Sequence, residues 1–261
     1  MSTAPVVNML WIGNSLGRIE HLSIASFLGN GHRVRVHAYG DIQGLPSKVE
    51  LAEAETTVPY ELMAALRHQE TGSFALASDY FRYRLQETGA GLWSDLDVVC
   101  LKPLVIDSDS LFGMENKRKI NGAILYLEAG LPITTELAGL FRENFIPRWT
   151  RLKYALPLKV GGVFGRNFGP ADLPWGTYGP LAITALARKH GLFRKAKPRD
   201  VFYPLRFRHA QSIFDPAASL DNVLTERTVT IHLWNEALKE LKKTVPPHGS
   251  PLAKLLTEFG V

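Results

Sequence analysis

Cysteine is almost absent from this 261-residue chain: Cys100 stands alone, so no internal disulfide can form, and a reducing, cytoplasmic setting is expected. No apolar run approaches the ~20 residues of a membrane span. The N-terminal stretch MSTAPVVNMLWIG lacks a charged leading segment and a small-residue cleavage site, so it reads as the first strand of the mature fold and not as a secretory signal. Internal repeats, low-complexity tracts, zinc-ligand spacings, helix-turn-helix patterns and RNA-binding sheet signatures are also missing, and no nucleic-acid partner is expected. What remains is ordinary globular composition, 46% apolar and 21% charged. A chain of this length buries roughly 70–75% of its unfolded surface without covalent staples. One elaborated domain over 1–261 is the expectation, with a part at 1–130 and a second at 131–261 that returns to the same site.

Charge is unevenly divided. Residues 1–100 hold 7 Lys+Arg against 11 Asp+Glu, residues 101–261 hold 23 against 14, and within 147–210 the balance is 13 to 2. A basic field of that kind favours anionic partners, either an anionic acceptor or acidic lipid at the inner face of a membrane.

The first hundred residues alternate strand and helix signals, which predicts an α/β layer fold. An apolar strand at 6–12 runs into Gly13, a helical face follows through Ile19, Leu22, Ala25 and Leu28, and Val34, Val36 and Ala38 alternate as a half-covered strand. Helices are predicted near 59–68 and 73–88. Beyond Cys100, strands are predicted at 111–114, 120–127, 201–203 and 228–233, and helices near 135–145, 180–190 and 236–243. The stretch 147–178 shows no periodicity and reads as a functional loop region. After Pro246-Pro247 the tail has the pattern of a short amphipathic helix through Leu252, Leu255 and Leu256.

Chemistry concentrates at Leu92-Trp93-Ser94-Asp95-Leu96-Asp97-Val98-Val99-Cys100. If this segment stays extended, Asp95 and Asp97 project from one face. Paired hard oxygen ligands suit Mg²⁺ or Mn²⁺, particularly with a diphosphate completing the shell. The plain alternative for an isolated D-x-D is a solvated turn at a strand end.

Ala77-Ser78-Asp79-Tyr80-Phe81-Arg82-Tyr83, with Gly91-Leu92-Trp93-Ser94-Asp95-Leu96-Asp97 after it, resembles the sugar-nucleotide-binding region of the DXD glycosyltransferases. That family includes α-1,4-galactosyl-, N-acetylglucosaminyl- and initiating mannosyltransferases, capsule and lipopolysaccharide enzymes, and clostridial glucosylating toxins. Trp11-Ile12-Gly13, Asn121-Gly122-Ala123, Gly179-Pro180, Phe202-Tyr203-Pro204 and His232-Leu233-Trp234-Asn235 match in the same order. The chain departs from the usual pattern at Ala90-Gly91, at Trp93, and in Thr177-Tyr178-Gly179-Pro180.

The resemblance implies a GT-A fold, a Rossmann-like mixed sheet flanked by helices. It implies retaining, metal-dependent transfer of a hexose from a nucleotide-diphosphate sugar, a UDP-sugar in particular, to a glycan or lipid-linked saccharide, as in polysaccharide biosynthesis. By the same resemblance Asp95, Asp97 and His232 hold the Mn²⁺ or Mg²⁺, and Asp95, Asp97 and Arg82 form the catalytic set. Trp11, with Ile12 and Gly13, meets the base. Asp79, Arg82, Asp95 and Asn121 meet the sugar and ribose, and Tyr83 stands beside the donor as a supporting aromatic. Each has a plain counterpart: a core tryptophan, a packed histidine, an i,i+3 ion pair.

Two other readings compete. Asp95-Leu96-Asp97-Val98-Val99 also resembles the signature of haloacid-dehalogenase-type phosphatases, but it lies far from the first strand and no later acidic glycine loop follows. The basic region could instead make a non-catalytic polyanion- or glycolipid-binding protein on a degenerate transferase core.

Overall fold

The computed structural model describes residues 4–68 and 72–261. The apolar run at 6–12 forms β1 (Val7–Trp11), helix α1 (Arg18–Gly29) follows, and β2 (Val34–Ala38) lies parallel to β1 with Val7 opposite Val34. The outer strand β3 (Glu50–Glu53) continues the parallel set. The chain then crosses back through α2 (Tyr60–Ala65) and α3 (Ala75–Glu87) to β4 (Leu92–Ser94), which pairs with the other edge of β1. That reversal leaves a crevice at the carboxyl ends of β1 and β4, where open α/β sheets accept ligands. The hairpin of β6 (Ser110–Asn116) and β7 (Lys119–Leu127) completes an antiparallel flank, giving the order β3-β2-β1-β4-β7-β6. The expected α/β mixed sheet with flanking helices is therefore what the chain forms.

The predicted strand at 92–100 is broken. After β4 the chain turns at Asp95-Leu96-Asp97, with the Val98 amide donating to the Asp95 carbonyl (3.3 Å), and resumes as β5 (Val98–Cys100) outside the main sheet. β5 pairs instead with β8 (Thr230–His232), antiparallel, Val98 opposite His232. Its other edge is covered by α1: Ser23 Oγ donates to the Val98 carbonyl (2.7 Å), Ser26 Oγ accepts from the Cys100 amide (2.8 Å), and Asn30 Nδ2 donates to the Cys100 carbonyl (2.9 Å). Polar residues on the buried face of a helix thus satisfy a short strand that no sheet covers.

Other predicted elements shift. Residues 201–203 form not a strand but the end of a helical turn, α7 (Arg199–Phe202), because Pro198 sets its start and the carbonyls of Val201 and Phe202 bond to Val229 N and Thr230 Oγ. The helix expected near 135–145 starts earlier, with Pro132 in its first turn, and ends at Gly139 as α4 (Pro132–Ala138). The segment 236–243 is a run of tight turns, not one helix, closing on a 3-10 turn at Leu241–Lys243. Within the aperiodic stretch lies α5 (Leu152–Val163), which buries only Ala155. Amphipathic spacing is weak there because apolar side chains lie on both sides of the helix: Ala155 is buried and Leu158 packs against the core, while Leu152, Leu156, Val160 and Val163 face solvent. Helix α6 (Pro180–Lys189) agrees with the periodicity, and the tail forms α8 (Pro251–Phe259), capped by Ser250 and ended by Gly260 in the left-handed region.

Inside the sheet, Asn8 ties three strands. Its Nδ2 donates to the carbonyls of Ala90 (2.9 Å) and Leu92 (3.3 Å), and its Oδ1 meets His37 Nε2 at 3.0 Å. Gly91 must be glycine here: its φ is 108°, and a Cβ would lie 3.1 Å from the Val6 carbonyl. His37 is buried, its Nδ1 has no partner, and burial together with nearby Arg35 lowers its pKa to about 4. The unfolded chain therefore takes up this proton first as pH falls from about 6.5, so stability is present above that pH and lost toward pH 4. Urea titrations should find the wild type losing up to about 3 kcal/mol more than His37→Gln between neutral pH and pH ~4.5. Parallel profiles would mean that His37 titrates normally.

Candidate active site

The site begins with one arginine. Arg82, on the inner face of α3, puts Nη2 3.0 Å from Asp95 Oδ1 and 3.5 Å from Asp79 Oδ1, and Nη1 donates to the Gly122 carbonyl at 2.6 Å. Its Cζ lies 5.1 Å from the centre of the Trp93 ring, and Trp93 Nε1 donates to the same Asp95 oxygen at 2.8 Å. Helix α3, strand β4 and strand β7 are thereby joined at one guanidinium whose side chain is 8% exposed. Two glycines make room. A Cβ at Gly122 would sit 2.7 Å from Ile183 Cδ1 and 3.1 Å from Arg82 Nη1, and one at Gly179 would sit 2.5 Å from Asp79 Oδ2.

Asp97 is held from the other side. Its Oδ2 accepts from the Asn235 backbone amide (2.7 Å) and lies 3.2 Å from His232 Nε2, while its own carbonyl accepts from Leu233 N (2.8 Å). The amide of Asn235 reaches Asp97 because Trp234 adopts φ 61°, uncommon for a bulky residue and a form of stored strain. Asn235 is itself bracketed, with Nδ2 on Glu20 (3.4 Å) and Oδ1 on Lys242 Nζ (2.8 Å).

These placements set the charges. Burial pushes the Asp79 carboxyl up to about 7 against the pull of Arg82, and Asp95 adds to the rise. Burial likewise raises Asp95, more than Arg82 pulls it down. For Asp97 burial is outweighed by the His232 imidazole and the Asn235 amide, which hold it below the usual carboxylate range; His232 is correspondingly raised by Asp97 in spite of burial.

Asp95, Asp97 and His232 each offer a ligand atom, all within 4.8 Å of one another, and His232 Nδ1 is buried without a partner. Two hard oxygens and a borderline imidazole form a donor set that fits a divalent ion of the Mn²⁺ type. The aspartates converge through the turn between β4 and β5, not through the alternation of a continuous strand as expected. The cluster borders a cleft of about 800 Å³. Asp79, Arg82, Asp95, Asp97, Asn121 and His232 all line it.

The remaining expected residues lie elsewhere. Trp11, Ile12 and Gly13 sit at the carboxyl end of β1, outside the cleft lining, with the indole folded against Gly13 and its Nε1 buried and unpartnered. Tyr83 is fully buried beneath the cleft; its hydroxyl donates to the Tyr178 carbonyl (2.8 Å) and so supports the segment before α6. Asn121 does line the cleft, with its side chain held by protein, Oδ1 accepting from the Ala123 amide and Nδ2 donating to Glu115. Glu115, ion-paired to Lys119 at 2.6 Å across the β6–β7 hairpin, lines the cleft, whereas Glu128 and Asp172 do not. Sequence reasoning assigned no role to Asn235, whose contribution is a backbone amide that no side-chain pattern announces. The Glu115–Lys119 pair did have a signal, opposite charges flanking a tight polar turn.

Replacing Arg82 by Met leaves Asp79 and Asp95 without their buried counter-charge, so denaturant unfolding should find a loss of about 3 kcal/mol. Lys at this position should restore only part of it, because an ammonium lacks the planar fork that serves several acceptors. A loss below about 1 kcal/mol would remove Arg82 from its central role.

The family model described as "Alpha 1,4-glycosyltransferase conserved region" matches residues 164–259, which include His232, Trp234 and Asn235. Among curated proteins none matches. Of solved structures, one described as "PaToxG Glycosyltransferase" is similar at 14% identity and a TM-score of 0.48, over 97% of this chain and 84% of that one. Residues 164–259 of this chain are thus similar to the conserved region of the alpha 1,4-glycosyltransferases, which supports reading it as a glycosyltransferase.

Proposed function

We propose that the enzyme transfers a hexose from a nucleotide-diphosphate sugar, a UDP-sugar in particular, to a glycan or lipid-linked saccharide, with divalent metal and with retention of configuration. The observation that carries this reading is the convergence of Asp95, Asp97 and His232 beside a cleft large enough for a nucleotide sugar. These three residues would hold Mn²⁺ or Mg²⁺, and such an ion, when bound, neutralises charge on a diphosphate leaving group. Arg82 and Asp79 face the cleft from α3, where a protonated or ionised Asp79 can meet sugar hydroxyls. Trp11, at the carboxyl end of β1, is assigned to the base. In the transfer, the bond from the anomeric carbon to the donor phosphate oxygen breaks and one to the acceptor hydroxyl oxygen forms. The hydroxyl proton leaves with the nucleoside diphosphate. The two halves, 1–130 and 131–261, act as one domain in this reading, joined by the pairing of β5 with β8.

The second half also supports contact with an anionic membrane surface. Among the described residues no helix is long and apolar enough to cross a membrane. Helix α5, however, and the residue after it expose Leu152 (72%), Val163 and Phe164 (83% each), with Leu156 and Val160 also exposed. Arg148, Arg151, Lys153, Lys159 and Arg166, all exposed, are interspersed with them along the chain, with no carboxylate between 147 and 171. Apolar side chains interspersed with cations suit the headgroup boundary of acidic lipid.

Donor turnover across a panel of nucleotide sugars should require Mn²⁺ or Mg²⁺, and Asp97→Asn should lower it by at least ~100-fold; full activity in that variant would reject the metal assignment. Vesicles containing phosphatidylglycerol should sediment the wild type, while Leu156→Asp/Val160→Asp should stay in the supernatant. Equal binding to purely zwitterionic vesicles would argue against an electrostatic contribution.

A further inference from the structure

A second groove, of about 940 Å³, opens beside the cleft and shares Glu115, Phe207 and Trp234 with it. Its walls carry Lys117 and Arg118 from the tip of the β6–β7 hairpin and Arg199, Arg206 and Arg208 from the segment after α6. The one carboxylate lining it, Glu115, is already neutralised by Lys119. Arg199 is anchored, donating to the carbonyls of Tyr203 and Pro204, but Lys117, Arg118, Arg206 and Arg208 make no ion pair among the described residues. The groove runs on into a third hollow of about 540 Å³ that shares Arg199, Leu205, Arg206 and Arg208 and adds His209. Its Asp200 is held by Arg227 at 2.8 Å.

A track of unneutralised guanidinium groups leading away from a reaction cleft is a binding surface for a chain of anions. Arginine forks match the oxygens of phosphates and carboxylates, often two at a time. Phe207 is half exposed where groove and cleft meet, and offers an apolar face against which a sugar ring can lie. We infer that this groove holds the acceptor, and that the acceptor is an acidic glycan, a saccharide chain carrying phosphate or carboxylate groups, with its growing end directed past Phe207 and Trp234 into the cleft. The inference rests on the transfer reading above but adds the chemical class of the substrate. A nucleic acid fits less well: among the described groove residues Phe207 and Trp234 stand together at the cleft end and only the imidazole of His209 lies further along, whereas single-stranded binders stack successive bases along the track.

Fluorescence anisotropy with labelled oligogalacturonate, linear polyphosphate, a neutral malto-oligosaccharide and a single-stranded oligonucleotide tests this on the full chain at two salt concentrations. At least one of the two acidic probes should bind with strong salt dependence, and which one separates carboxylate from phosphate recognition. Arg206→Gln/Arg208→Gln should weaken that binding about tenfold, whereas the charge-matched Lys48→Gln/Lys254→Gln, on exposed positions away from the groove, should change it less than about twofold. The inference is overturned if neither acidic probe binds, if the neutral sugar binds as tightly, if both double variants weaken binding equally, or if the oligonucleotide outcompetes the acidic probe. UDP binding with Mn²⁺, measured alongside, keeps the two readings apart. Arginine-dependent probe binding without UDP binding rejects the donor assignment and reduces the groove to an anion site; UDP binding without it rejects the acidic acceptor alone.

Discussion

The contact on which the rest of the site depends is the buried guanidinium of Arg82 between Asp79 and Asp95. Three charges in a poorly solvated place are tolerable only when each has its counterpart and the spare donors find carbonyls. The Gly122 carbonyl takes one of those donors, and for this β7 must come close enough that no side chain fits at 122. Close packing of α6 follows from the same requirement, since Ile183 lies against Gly122 and Gly179 against Asp79. The first turn of the chain after β4 is thus positioned by a charge held from a neighbouring helix.

Much of the molecule was legible in advance because its early elements bury regular faces. The first strands and α1, α3 and α6 follow the periods expected of half-buried strands and amphipathic helices. Asp79, Arg82, Asp95, Asp97, Asn121 and His232 line one cleft. The failures have distinct physical origins. Alternation assumed that the segment around Asp95 and Asp97 was one strand, whereas β5 leaves the sheet because serines and an asparagine on α1 satisfy its edge. Helix α5 was invisible because its apolar side chains lie on its solvent side as well as its inner side, which leaves no single stripe to read. Residues 201–203 have strand-like composition but are bound as a helical turn whose carbonyls serve the residues beside β8. Tyr83, read as a supporting aromatic, is buried under the cleft with its hydroxyl on the Tyr178 carbonyl.

Charge asymmetry, obvious from counting, takes on a spatial meaning. The acidic half contributes the carboxylates that converge on the cleft. The basic half contributes three different things: a histidine and an amide that steady Asp97, an exposed helix with flanking cations, and a line of arginines leading outward. Only the first belongs to the same cleft wall as the aspartates, so a single net charge concealed unrelated roles.

The pairing of Val98 with His232 joins positions far apart along the chain; the bond between His232 and Asp97 spans 135 residues. A nascent chain that has folded through β7 already possesses both aspartates and the arginine that orders them, yet lacks the imidazole and the amide that hold the Asp97 carboxyl below the usual carboxylate range. Closing so long a loop comes late and is slow relative to local structure. The complete ligand set therefore coincides with completion of the fold, and a truncated or half-folded product is unable to assemble the full cluster.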